Sequence, residues 1–382
     1  MQGRVKAVAV FPEQKAVRVV TDHPEPKLER DTEVHLKMLD IGVCGTDREI
    51  AHFDYGAPPA GDRYLVIGHE SLGQVTAVGA AVTHIKPGDL VVTMVRRPCG
   101  HPECPACAMN RPDFCITGDF TERGISRRHG FMTEQVVDDQ SYMIVLAPEL
   151  RAVGVLLEPL TIAEKALIEV GDIEDRLPWL QPGARQAAGD VTKRAVVLGA
   201  GPVGLLGAMA LLVRGYQTWV YSLEPADSPK AKWVASVGGQ YLCAKDAPIP
   251  ALPDTVGNID LIYEATGNAT IAFQAIQSLG VNGTFIFTGV PGKKGPIQLD
   301  AELIMRNLVL KNQLVYGTVN AGRDAFEKAA ADLHEFNRRW PAALAALITG
   351  RHAPEDIESL LLGPSEGIKR VISFDGAPAP RR

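Results

Sequence analysis

Cysteine is scarce in this chain, at six in 382 residues. Disulfide frameworks belong to small secreted domains that cannot bury a sufficient core, and a chain of this length with 46% hydrophobic residues can bury a large one. A secretory leader is lacking too. Arg4, Lys6, Glu13 and Lys15 interrupt the first twenty residues, so no apolar core of roughly seven to fifteen residues fits there. No Lys/Arg run marks a nucleic-acid or anionic-lipid surface, since the net charge is −6 with both signs interspersed. Heptads, low-complexity tracts and repeats of about 20 to 50 residues are absent. These absences leave a cytoplasmic protein of two domains that handles a small molecule, with neither nucleic acid nor membrane as partner.

Long uncharged runs are also missing, with one exception. Ala195 to Val213, "AVVLGAGPVGLLGAMALLV", carries no charge over nineteen residues, long enough to span a bilayer. A membrane helix has no need of Gly199, Gly201, Pro202 and Gly204 packed so closely, whereas a buried strand, a glycine turn and a buried helix need something of that kind. The second reading is the one adopted.

What is present divides the chain. The first 150 residues read as short β-branched runs broken by turns, such as "VKAVAVF", "EVHLKMLDIGV" and "DLVVTMV". A helical pattern follows from Ala152 to Val170, then a polar connection from Gly171 to Arg194, which puts a boundary near residue 188. From 189 to 320 strands and helices alternate, the signature of a parallel sheet covered on both faces. Residues 321–382 are mixed and are expected to return to the first domain, 1–188.

Gly199, Gly201, Pro202, Val203 and Gly204 form a G-x-G-x-x-G turn between a strand and a helix, the arrangement that lets backbone approach a pyrophosphate. Glu224 follows near the end of the next apolar run, where a carboxylate accepts from a free ribose and repels a 2′-phosphate, favouring NAD over NADP. If the strand ends one residue earlier, Ser222 or Leu223 faces the ribose and Lys230 and Lys232 become available to a phosphate.

Four of the six cysteines, Cys99, Cys104, Cys107 and Cys115, fall within seventeen residues. Four thiolates at such spacing suit a closed tetrahedral zinc site that does no chemistry, the alternative being four unrelated buried thiols. A catalytic zinc needs about three protein ligands and an open position. Cys44 in "GVCGTD", His69 and Glu70 in "GHE", and Glu158 in "LLEPLTIAEKA" are the candidates. His69 and Glu70 both reach one ion only if the backbone turns between them. Cys44, His69 and one glutamate are therefore the expected ligands, with Glu158 preferred and Glu70 outside them or exchanging. Cys243 reads as an ordinary core thiol.

Taken together, "GVCGTDREI", "GHE", the cysteine cluster with "DFCITGDFTERGI", "HGFM", "LEPLTIAEKA", "LGAGPVGLL", "YEATG" and "VYGTVN" resemble the zinc-dependent glucose dehydrogenases of the medium-chain dehydrogenase/reductase superfamily, in the family's order over nearly the whole chain. The resemblance implies an α/β protein: a GroES-like β-rich catalytic domain made from both ends of the chain, and a Rossmann domain with a doubly wound parallel sheet between them. It implies oxidation of an aldose at C1 to the lactone, with hydride passing to nicotinamide; a polyol or secondary-alcohol dehydrogenase of the same superfamily is the alternative. It makes Cys44, His69, Glu70 and Glu158 contacts of a catalytic zinc, and Thr46 the hydroxyl that takes the reacting proton. Glu122 and Asn320 hold sugar hydroxyls. Thr266, Gly267, Val290 and Asn320 join the glycine turn in binding the cofactor, and a homodimer or homotetramer is expected. Three departures stand out. The cysteine cluster is two residues longer than usual between Cys99 and Cys104, "SLEPADSP" lacks the arginine pair that serves NADP in many relatives, and Val95 replaces an Asn that some sugar-binding relatives carry.

Overall fold

The computed structural model describes residues 3–181, 191–292 and 295–376. The chain divides into two units, Met1–Glu158 with Ala321–Arg382, and Pro159–Asn320.

The first unit is built on a seven-stranded sheet whose centre is Glu33–Val43. Antiparallel pairing joins that strand to Glu70–Val78, to Gln135–Asp139 and to Lys369–Ser373. Its side chains are buried on both faces almost throughout, because Val34, Leu36, Met38 and Ile41 enter one core with Ile67, Val91, Phe131 and Met132. The run from Lys369 to Ser373 docks on it in the register Val371↔Gly42 and Ile372↔Ile41. The last part of the chain thus completes a sheet begun by the first.

The second unit carries a six-stranded parallel sheet. Its strands are β1 (Arg194–Leu198), β2 (Gln217–Ser222), β3 (Gln240–Cys243), β4 (Leu261–Glu264), β5 (Thr284–Phe287) and β6 (Leu314–Gly317). The spatial order is β3-β2-β1-β4-β5-β6, the doubly wound order whose direction reverses between β1 and β4. Strands covered on both faces need continuous apolar runs, as "AVVL" at the end of β1 supplies. Ser228, Asn268 and Asp300 cap their helices by accepting from backbone N–H groups. The helix Pro202–Val213 starts differently: its N-cap is Gly201, with no side chain to cap it.

The uncharged window from Ala195 to Val213 is β1, a turn and this 12-residue helix. No described helix is long and apolar enough to cross a membrane. The boundary expected near residue 188 lies outside the described residues, and the two units part earlier, at Glu158. The reason is the helix Leu157–Glu174, whose polar contacts go to the parallel-sheet unit. Glu164 accepts from Arg214 at 2.5 Å, the Ala166 carbonyl from the Tyr316 hydroxyl at 3.0 Å, and Glu174 from Tyr216 at 2.5 Å.

Candidate metal centres and cofactor crevice

Cys44 precedes the short helix Gly45–Ala51 and donates its backbone N–H to Asp47 Oδ2 at 2.9 Å. Asp47 Oδ1 in turn accepts from the Gly68 amide at 3.2 Å and lies 3.6 Å from His69 Nδ1. One buried carboxylate therefore ties the Cys44 turn to the His69 turn. The backbone turns just before His69 at Gly68, whose φ of +88° is open to glycine and where a Cβ would lie 2.5 Å from Met132 Cγ. Cys44, His69 and Glu70 place one donor atom each within 4.8 Å of one another. Glu158, the glutamate preferred from sequence, lies outside that group of three, although it is buried in the same corner and interacts electrostatically with His69 and Glu70.

Glu70 has a partner the sequence did not suggest. Lys369 Nζ donates to both carboxylate oxygens, at 2.7 and 2.6 Å, and to the Val43 carbonyl at 3.3 Å. Both side chains are 2% exposed. Room for the pair comes from Gly42, cross-strand from Glu70, where a Cβ would lie 1.9 Å from Glu70 Oε2. Nothing local in "GIKRVISF" marks Lys369; only the long-range strand register brings it here. Asp47 did leave a signal, since an acid three residues after Cys44 in a helix's first turn is a capping position.

The electrostatics of this corner call for a cation. Burial raises the Glu158 carboxyl to about 7, with Glu70 adding to the effect and His69 opposing it. Burial alone would depress His69, yet Asp47 and Cys44 outweigh it and hold the imidazole well above its usual range. Glu158 is raised chiefly by burial, with Glu70 adding to it, whereas His69 is raised by the neighbouring Asp47 and Cys44, so both groups favour the more positive state of this corner. A dication fills the same need, and a thiolate, an imidazole and carboxylates are zinc donors. Thr46 Oγ1 lies 4.0 Å from Cys44 Sγ.

The second cluster is local. Sγ atoms of Cys99, Cys104, Cys107 and Cys115 lie within 4.8 Å of one another, none in a disulfide. Burial pushes the Cys107 thiol up to about 12. Burial also works against a Cys115 thiolate, but hydrogen bonds from Thr117 and the Thr117 and Gly118 amides prevail and bring it down to about 6. Four sulfurs this close, none in a disulfide, suit a metal that replaces their protons.

Glu122 sits in the strand Thr121–Arg123 and is 4% exposed, so it is no surface carboxylate of a charged turn. Arg96 Nε donates to its Oε1 at 3.0 Å, while the Arg96 guanidinium lies over the Phe120 ring at 3.7 Å.

In the parallel-sheet unit, the glycine turn follows β1 and the Thr266–Gly267 loop follows β4, one on each side of the point where strand order reverses. Gly204 packs against the Gly199 carbonyl, where a Cβ would lie at 2.2 Å. Gly201 has open space at that position, as approach of a ligand to the backbone requires. With no side-chain cap, the first N–H groups of the helix Pro202–Val213 are available to an anion. Val290 is 70% exposed and Asn320 adopts φ +61°, a left-handed conformation that Asn tolerates. β2 ends at Ser222, so Glu224 lies beyond the strand. Ser222 Oγ donates to Glu224 Oε2 and Lys230 Nζ to Oε1, both at 2.5 Å. Burial opposes ionisation of Glu224, but these two partners lower its pKa on balance.

Two family descriptions match the chain, "Glucose dehydrogenase C-terminus" over residues 151–374 and "Alcohol dehydrogenase GroES-like domain" over residues 30–149. Among curated proteins, a glucose 1-dehydrogenase of Methanocella arvoryzae is 37% identical over 97% of this chain and 99% of its own. One of Thermoproteus tenax is 38% identical over 96% and 99%. Among solved structures, Haloferax mediterranei glucose dehydrogenase in complex with NADP, Zn and gluconolactone matches with a TM-score of 0.83 and 30% identity, covering 97% of this chain and all of that one.

Proposed function

This chain belongs to the zinc-dependent glucose dehydrogenases of the medium-chain superfamily, and from that premise we propose that it oxidises the C1 hydroxyl of an aldose such as D-glucose to the lactone, with hydride passing to NAD(P). The observation that carries the proposal is the convergence of the Cys44, His69 and Glu70 donors within 4.8 Å of one another, two of them buried. A substrate panel tests it: D-glucose, D-galactose and D-xylose should support NAD(P) reduction by the zinc-loaded protein, and turnover confined to sorbitol would overturn the aldose assignment.

Cys44, His69 and a glutamate, Glu158 or Glu70, would hold the catalytic zinc. When bound, zinc supplies Lewis acidity; its effect on the acidity of water, about nine pKa units, sets the scale at on the order of 12 kcal/mol, more than any single hydrogen bond here can give. Asp47 fixes His69 and the Cys44 turn. Lys369 balances Glu70 and holds it in the ion pair, while Glu158 is the carboxyl the resemblance favours as the ligand. The Thr46 hydroxyl, near Cys44, takes the reacting proton. We assign Glu122 and Asn320 to sugar hydroxyls. Arg96 holds the Glu122 carboxylate in place through Oε1, and an analogue lacking the matching hydroxyl would forgo the bond that carboxylate offers. The four-cysteine cluster would hold a second, structural zinc.

For the cofactor we infer NAD ahead of NADP. The support is the Glu224 carboxylate just past β2 and the absence of arginine in "SLEPADSP"; its ion pair with Lys230 is the element that would soften the preference. A higher kcat/KM with NADP than with NAD would overturn this inference. We further infer a homodimer or homotetramer. It is supported by β6 standing at a sheet edge beside the helix Ala301–Leu310, on which Met305, Val309 and Leu310 are exposed. Light scattering decides it, a monomer at micromolar concentration being the contrary result. The unpaired thiols support a cytoplasmic location.

A further inference from the structure

Glu264 ends β4 and is 1% exposed, yet no step above employs it. Its Oε1 accepts from the Thr266 amide at 2.6 Å, the Thr266 hydroxyl at 2.5 Å and the Gly267 amide at 2.9 Å. Its Oε2 accepts from the Gly289 amide at 3.2 Å, and its own carbonyl accepts from the Thr288 amide and hydroxyl at 3.1 and 2.7 Å. Four neutral donors thus converge on one buried carboxylate, a nest in which backbone dipoles surround an anion.

We propose that Glu264 is a positioning residue for the dinucleotide, holding the loops after β4 and β5 in the shape that receives its second mononucleotide half. The proposal rests on the reading that the parallel-sheet unit binds a dinucleotide across the β1/β4 switch point. Three residues on two loops depend on this one side chain. It fixes Thr266, whose Cγ2 lies so close to Gly199 that a Cβ there would come within 2.9 Å, which couples the loop to the pyrophosphate turn. It fixes Gly267, held at φ +66° against the Val290 carbonyl, and it fixes Gly289, where a Cβ would lie 2.2 Å from the Gly267 amide. Those two loops close over the carboxylate, so Glu264 acts through Thr266, Gly267 and Val290. The length of the side chain matters. Aspartate is one methylene shorter and cannot reach both loops, and glutamine presents an NH2 where one of the N–H donors needs an acceptor.

The test is made on the full-length, zinc-loaded protein. NADH binding by nicotinamide fluorescence is measured with steady-state KM values for cofactor and sugar, and with amide exchange at 266–267 and 288–290 without cofactor. Glu264→Gln should weaken NADH binding and raise the cofactor KM by on the order of tenfold, as expected for one lost bond plus one unpaired buried donor. The sugar KM and zinc content should stay within about twofold, while the loop amides exchange faster. Thr266→Val, which removes one donor and leaves the carboxylate, should give a smaller change of the same kind and carries the test if Glu264→Gln does not fold. Wild-type protein that binds neither NADH nor NADPH would overturn the dinucleotide reading itself. Normal wild-type binding with unaltered affinity and exchange in the variants, or sugar and cofactor KM rising together, would overturn the role of Glu264.

Discussion

The two clusters of side chains in the first unit that could hold a metal ion were assembled in opposite ways. Cys99, Cys104, Cys107 and Cys115 come from a single loop of seventeen residues, are all sulfur, and neighbour a turn that lowers one thiol and a core that raises another. Cys44, the adjacent pair His69 and Glu70, and Glu158 come from three separated places, mix sulfur, nitrogen and oxygen, and are held by a buried carboxylate and a buried lysine. A local, uniform set can saturate a metal and brace a loop. A dispersed, mixed set carries a charge imbalance that only the whole fold can maintain, and such imbalance is what chemistry requires.

Breaking the dispersed site should have the largest effect. Cys44→Ala is expected to lower kcat/KM by at least about a thousandfold and to take zinc from two ions per chain to one, without loss of fold by circular dichroism. Full turnover in that variant would end the proposed mechanism. Lys369→Met leaves the Glu70 charge buried and unpaired, so urea unfolding should show a loss of about 3–5 kcal/mol; a loss below about 1 kcal/mol would mean that Glu70 finds another counter-ion.

The charge imbalance also has a pH signature. In chelated protein the Glu158 carboxyl, raised from 4.5 to about 7, keeps its proton through a range in which the unfolded chain has lost it. Stability from this group is therefore fully present below pH 4.5 and declines as pH rises to about 7, by on the order of 3 kcal/mol. Glu158→Gln should flatten that slope in thermal melts between pH 5 and 8, and zinc should abolish it. The smallest effect on catalysis belongs to the local cluster. Cys115→Ser should also release one zinc, and protease should nick the loop 99–115 faster, yet kcat/KM should remain within about twofold. A large loss of turnover there would erase the functional contrast between the two sets.

The same contrast explains how much could be read in advance. The glycine turn, the alternation of strand and helix and the cysteine spacing are local patterns, and each survives in the structure as a turn, a parallel sheet and a thiol cluster. Cys44, His69 and Glu70 were legible through short motifs. Their supports were not: Lys369 reaches Glu70 across 299 positions, and nothing in its flanks sets it apart from a surface lysine. Glu264 was hidden in a motif already noticed, because three of its donors belong to the adjacent Thr266 and Gly267 and the fourth, Gly289, is brought to it only when β4 and β5 are in register. The first division of the chain was placed at a polar connection on composition. The preceding helix belongs instead with the sheet that its glutamates and carbonyls bond.

The return of Lys369–Ser373 to a sheet founded by the first residues has a consequence for synthesis. A ribosome releases the whole segment Pro159–Asn320 before it makes the strand that completes the other unit. The nascent amino-terminal half must wait, with the acid at position 70 lacking its counter-ion and an edge of Glu33–Val43 uncovered, while the parallel-sheet unit is free to fold. Pairing of Lys369 with Glu70 is thereby a late event in the life of each molecule, and a chain interrupted before that strand would leave this edge open to aggregation.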